Sequence, residues 1–131
     1  MTSTTRKIIS SHHPKKHYNS FRYAFSGIKY AFLQERNFRF HLLISVSIII
    51  LGFFYDLNYI EWAIVSFSIG LVLVCEMINT LLEDLMDFIS PAYSDEVKII
   101  KDISAGFVLV AAVIAMCNGL LIFIPKIFQS L

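Results

Sequence analysis

Long apolar runs alternate with short polar breaks along this chain, and the breaks divide it into helical stretches. Phe21, Phe25, Ile28 and Phe32 recur at helical spacing within residues 20–34, while Arg22, Ser26 and Lys29 fall on other faces. An aromatic stripe opposite basic residues predicts an amphipathic helix lying in the headgroup layer of a bilayer. Residues 39–55, flanked by Arg36, Arg39 and His41, read as a first span near the lower length limit. Tyr55-Asp56-Leu57-Asn58-Tyr59 is a polar turn bounded by interfacial tyrosines, and Trp62 suits the same interface. Residues 60–89 predict a second, longer span that stops at Ser90-Pro91. Residues 92–101 read as a charged loop, and residues 102–124 as a third span begun by Asp102 and ended by Pro125 and Lys126. Ala111, Ala115 and Gly119 recur every four residues, a small-residue face that lets helices approach closely.

This pattern predicts an all-α membrane protein with an N-terminal surface helix and three transmembrane helices. Residues 20–131 make one domain, preceded by a disordered basic tail over 1–19. His12, His13 and His17 in that tail specify no compact ligand geometry, so a solvated segment near anionic lipid is the simpler account.

Composition supports the membrane reading. The chain is 56% hydrophobic and only 16% charged, less charge than a soluble domain of 131 residues carries. The net charge of +1 conceals an uneven distribution: eight of the eleven basic residues precede Phe40, and no acidic residue precedes Glu35. With the 92–101 segment, the N-terminal stretch holds ten of the eleven, which predicts a cytoplasmic N-terminus and an outward C-terminus. No secretory leader is expected, because the first apolar run begins late and is too long for one. Cys75 and Cys117 lie in apolar segments and read as reduced packing residues. Nothing in the chain calls for a nucleic-acid partner.

The chemistry concentrates in the second span. Glu76, Asn79, Glu83 and Asp87 are offset by three, seven and eleven residues from Glu76, which places them within an arc of roughly 80°. A carboxylate is costly in hydrocarbon, so such a row faces a bundle interior and serves a function. Carboxylates beside an amide suit a hard divalent cation. An interhelical hydrogen-bond cluster is the structural alternative, and Asn79 alone suits the fixing of an oligomer register. Asp84 points away from the row. Glu76 lies about 22 Å along the helix from Glu61, past the bilayer midplane, and Glu83 and Asp87 lie about 10–16 Å further on. The other half of the span is bare of charge, which argues against an ion path. A site confined to the cytoplasmic interface can meet both a soluble phosphate donor and a lipid headgroup. Lys101 and Asp102 read either as part of that site or as a snorkelling lysine and a helix cap.

Three segments carry a resemblance. Glu76-Met77-Ile78-Asn79-Thr80-Leu81-Leu82-Glu83-Asp84-Leu85-Met86-Asp87 resembles the Glu-x-x-Asn-[Ser/Thr]-x-x-Glu-x-x-x-Asp signature of the prokaryotic diacylglycerol kinase family. Lys101-Asp102-Ile103-Ser104-Ala105-Gly106 is similar to the start of that family's last helix, and Glu35-Arg36-Asn37-Phe38-Arg39 to the segment ahead of its first span. The resemblance covers residues 20–125. It implies a small bacterial inner-membrane lipid kinase, a homotrimer with active sites shared between subunits. It implies ATP as co-substrate and Mg2+ as cofactor. The 35–41 segment and Phe123-Ile124-Pro125-Lys126 look more like the branch that phosphorylates undecaprenol than the branch that phosphorylates diacylglycerol.

Site roles follow from the resemblance alone. Glu35 and Glu83 match the metal-binding carboxylates. Tyr23, Asn79, Asp87, Lys101 and Asp102 match positions around the nucleotide, and Lys16 is the nearest counterpart of an upstream basic residue at the ATP. Glu76 matches the catalytic base, and Arg39, Glu76 and Ala105 the lipid-facing positions. Ser26 stands before Gly27 where the family often has a basic residue. The residues alone fit this mechanism: phosphoryl transfer needs charge neutralisation and alignment more than covalent help. A base at Glu76 would take the proton of a lipid hydroxyl, with simple orientation of that hydroxyl as the rival role. A non-catalytic assembly or lipid-binding subunit is the alternative of another class.

Overall fold

The computed structural model describes residues 14–90 and 94–129, with side chains from residue 19 onward. They form four helices: α1 (Pro14–Gln34), α2 (Arg36–Phe54), α3 (Tyr59–Ile89) and α4 (Asp95–Gln129). The last three are each long and apolar enough to cross a membrane. The described residues divide into two compact units at Gln34 and Glu35. In the first, α1 begins at Pro14, so residues 14–19 of the expected tail are helical; residues 1–13 lie outside the described residues. Phe21, Phe25, Ile28 and Phe32 are all exposed on α1.

In the second unit α3 packs chiefly against α4 and more lightly against α2. The turn from α2 to α3 is built from local chemistry. Asp56 adopts a positive φ of 49°, a conformation that Asp tolerates better than most residues. Asn58 caps α3: its Oδ1 accepts from the N–H groups of Ile60 (2.9 Å) and Glu61 (3.0 Å). Glu61 Oε2 accepts in return from the Asn58 N–H at 2.8 Å, which completes a capping box. Glu61 also pairs with Lys126 of α4 at 3.0 Å. Beside this turn Leu57, Val65, Ile122 and Phe123 form the buried apolar cluster, flanked by Ile48, Tyr55, Trp62 and Ile69. Gly52 lets α2 approach Trp62 closely: a Cβ there would lie 2.7 Å from the ring, which would have to shift.

Two expected boundaries differ. The 92–101 segment is not a loop throughout: α4 starts at Asp95, and only residues 91–93 fall outside the described residues. Ser94 Oγ accepts the Val97 N–H at 3.2 Å, Asp95 and Glu96 occupy the first turn, and Lys98 pairs with Asp102 four residues on at 2.7 Å. Capping, favourable charge at a helix N-terminus and an i,i+4 pair stabilise a polar helical turn that a hydropathy reading leaves in the loop, so that it starts the helix too late. Asp102 is therefore interior to the helix rather than its cap. At the other end α4 continues through Pro125 to Gln129. A proline is tolerated in a membrane helix where neighbours compensate the freed backbone group, and the Lys126 pair with Glu61 ties this turn to α3.

Candidate functional site

The polar row on α3 runs from interior to surface. Glu76 is 2% exposed, Asn79 7% and Thr80 6%, whereas Glu83 is half-buried and Asp87 is exposed. Asp84 is exposed, as its place off the row predicted. Burial of an amide on this face needs partners, and α4 supplies one for Asn79. Ser104, fully buried, donates from Oγ to Asn79 Oδ1 at 2.6 Å and lies 2.9 Å from the Lys101 carbonyl oxygen. Asn79 Nδ2 donates to Glu83 Oε1 at 2.9 Å. Thr80 Oγ1 donates to the Glu76 carbonyl at 3.1 Å. Lys101 Nζ reaches Asp87 Oδ1 at 2.5 Å, bridging α4 to the exposed end of the row. The fold thus brings Asn79, Glu83, Asp87 and Lys101 together through contacts between α3 and α4. Asp102 is not brought to this group: it follows Lys101 on α4, and its exposed carboxylate is engaged by Lys98.

α2 contributes from the other side. Glu35 occupies the N-cap position of α2 in an extended conformation (φ −94°, ψ 118°), and its side chain is not used in capping. Its carboxylate, with His41 and Glu83, lies within electrostatic range of Glu76. Arg39 is exposed, with its N–H directed to the Glu35 carbonyl at 3.4 Å, and Ala105 is exposed on α4. Tyr23 is exposed on α1; Lys16 lies in the first turn of that helix, with its side chain outside the described residues. Among the described residues no three His, Cys, Asp or Glu side chains converge on one metal position.

Two residues escaped the sequence reading. Ser104 was visible only as a letter within a motif, and nothing in its spacing announces that it ends under Asn79. His41 was assigned to the interface, yet it is half-buried and lines a cleft of about 610 Å³ between α2, α3 and α4. A periodic signal existed: Phe38, His41, Ser45, Ile48 and Gly52 share one helical face of α2 and, with the neighbouring Leu42, are its buried or half-buried positions. The cleft walls are otherwise nearly all apolar, including Ile44, Val65, Val72, Ala115 and Gly119. Val72 precedes Glu76 by one helical turn on the same face of α3.

Residues 22–123 match the sequence profile of prokaryotic diacylglycerol kinase. The chain belongs to this family. Among relatives, the undecaprenol kinase of Bacillus subtilis (strain 168) is 40% identical over 110 residues, 84% of this chain and 89% of that one. The diacylglycerol kinase of Synechocystis sp. is 38% identical over 111 residues, 84% of this chain and 63% of its own greater length. The diacylglycerol kinase of Escherichia coli (strain K12) is 24% identical over 94 residues, 72% of this chain and 77% of that one. With three helices fit to span a bilayer, this member of the diacylglycerol kinase family is a bacterial membrane protein.

Proposed function

We propose that the protein transfers the γ-phosphate of ATP to a membrane lipid alcohol, undecaprenol, at the cytoplasmic interface. The observation that carries the reading is the graded row on α3: a buried Glu76 about two turns along the same face from a half-buried Glu83, which Asn79 and Ser104 tie to α4. Identity to an undecaprenol kinase over most of both chains favours that lipid. Diacylglycerol is the second reading, on the strength of the Synechocystis relative.

In this mechanism Glu76 accepts the proton of the lipid hydroxyl as its oxygen attacks, and the hydrocarbon chain lies in the apolar cleft that begins one turn away at Val72. Lys101 moves between Asp87 and the phosphates, offsetting charge that develops on the transferring group. Asn79, Asp87 and Asp102 contribute to the nucleotide site from α3 and α4, and Arg39 and Ala105 flank the lipid headgroup. The donor set fits Mg2+: Glu35 and Glu83, both within electrostatic range of Glu76, would offer hard oxygens to an ion that takes only one or two protein carboxylates. When bound, it neutralises and aligns the phosphate oxygens. The N-terminus faces the cytoplasm and α1 lies in the headgroup layer, its exposed aromatic residues inserted. Three copies share the sites.

The test is phosphate transfer from radiolabelled ATP by the purified protein in lipid vesicles containing undecaprenol or diacylglycerol. The expected result is transfer to both with a higher kcat/KM for undecaprenol. A higher kcat/KM for diacylglycerol replaces the first lipid with the second. Transfer to no lipid alcohol leaves the non-catalytic membrane subunit.

A further inference from the structure

We propose that Ser104 is a positioning residue that sets which oxygen Glu83 offers to the divalent cation, and through it the preference for Mg2+ over Ca2+. The proposal rests on the kinase reading above, and it names a residue that no role in that reading uses.

The argument is one of hydrogen-bond direction. An ionised carboxylate only accepts, so Glu83 Oε1, 2.9 Å from the Asn79 amide nitrogen, requires that nitrogen's proton. The Asn79 amide is therefore committed, and its oxygen must face the other way. That oxygen meets Ser104 Oγ at 2.6 Å, which must act as donor there. Of the small side chains that fit this fully buried position, only one with an O–H meets the demand well. Alanine would leave the amide oxygen, on a residue only 7% exposed, without its donor. The amide would then be free to turn, and the Ser104→Asn79→Glu83 chain would lose its sense.

The chemical consequence lies at the last link. With Oε1 engaged by Asn79, Glu83 presents one free oxygen. Mg2+ accepts single carboxylate oxygens in tight octahedral geometry, whereas Ca2+ accommodates both oxygens of one carboxylate in a larger, looser shell. A held Oε1 therefore favours the smaller ion. Releasing it gives Ca2+ a two-oxygen ligand and takes the preset geometry from Mg2+.

The experiment measures binding rather than turnover. The full chain in phospholipid vesicles is titrated with Mg2+ and with Ca2+ in the presence of a non-transferring imido analogue of ATP, by calorimetry. Ser104→Ala is expected to weaken Mg2+ binding by about 10-fold, the low end for loss of a partner behind a metal ligand. Ca2+ binding should change less, so the Mg2+/Ca2+ preference falls. Ser104→Cys, close in size and a weak donor, should lie between wild type and alanine, and it carries the test should the alanine variant not fold. In an Asn79→Ala background, Ser104→Ala should add no further loss of Mg2+/Ca2+ preference, because its route to Glu83 runs through Asn79. An unchanged Mg2+/Ca2+ preference in both Ser104 variants, or a full additive loss in the Asn79→Ala background, overturns the proposal. Those results leave the kinase reading standing if the wild type still phosphorylates lipid. A wild type that neither binds Mg2+ with the analogue nor phosphorylates any lipid alcohol overturns both.

Discussion

The two halves of α3 turn different chemistry inward. Towards Asn58 its buried positions are Val65, Ser68 and Val72; towards Ser90 they are Glu76, Asn79 and Thr80. The first half rests on an apolar cluster with Leu57, Ile122 and Phe123. It is locked at its end by a capping box and by the Glu61–Lys126 pair. The second half rests on Ser104 and Lys101, side chains that bind side chains. In a bilayer, apolar contacts between helices gain little over contacts with lipid, so shape and a few polar locks must hold the first half together. The second half carries groups that hydrocarbon would penalise, in an arrangement that leaves carboxylate oxygens available. One half fixes the helices, and the other spends that rigidity on a site.

The comparison is sharpest where substitution should separate binding from chemistry within the polar half. Glu83→Gln keeps shape and removes an anionic ligand, so Mg2+-dependent ATP binding and turnover should both collapse. Glu76→Gln should leave nucleotide affinity near wild type and lower turnover by about 10²–10⁴, the usual cost of losing a general base. Nucleotide titration and single-turnover rates in lipid check both. Equal loss of ATP affinity in the two variants would make the row one undivided cage. Unchanged turnover in Glu76→Gln would remove it from the reaction.

The apolar half should respond in stability alone. Gly52→Ala would place a methyl group 2.7 Å from the Trp62 ring, which must shift. Overpacking of this kind costs about 1–3 kcal/mol. The expected outcome is a lower midpoint of thermal unfolding in detergent, with wild-type activity per folded molecule at low temperature. Activity lost without a stability change would mean that the two halves are not separable. Asn58→Ala is a smaller lesion of the same kind, about 1 kcal/mol for a lost N-cap. It removes the acceptor of the Ile60 and Glu61 N–H groups, while Glu61 Oε2 keeps both the backbone N–H of position 58 and Lys126.

The same division governs what could be read from the chain. Three apolar runs and the 76–87 row are periodic signals, and periodicity survives in a sequence without coordinates. The membrane architecture and the face of α3 were legible for that reason. The start of α4 at Asp95 was not, because a capped, charge-paired turn is invisible to hydropathy. Ser104 and His41 were not, because their roles arise from contacts between helices. Ser104 meets a residue twenty-five positions away. His41 gained meaning from the side of α2 that faces the cleft. Aromatic residues on α1 are periodic too, yet they stay exposed.

The smallest effect belongs to a polar bridge inside the apolar half. Asn118 Nδ2 on α4 donates to Ser68 Oγ on α3 at 3.0 Å, a lone side-chain pair amid the apolar walls of the cleft. Ser68 is only 5% exposed, so its hydroxyl depends on this partner or on its own helix backbone. Hydrogen bonds between membrane helices average about 0.6 kcal/mol, because the separated helices also find partners. Ser68→Ala should therefore lower stability by about that much, and Asn118→Leu by slightly more, since it also adds bulk to the cleft wall. If the cleft holds the hydrocarbon chain, Asn118→Leu should raise the KM for undecaprenol while leaving the KM for ATP unchanged. Steady-state rates at varied lipid mole fraction check this. A change in the KM for ATP with the lipid KM unaltered would place the cleft outside the substrate path. It would also extend the influence of the polar half further along α3 than its side chains reach.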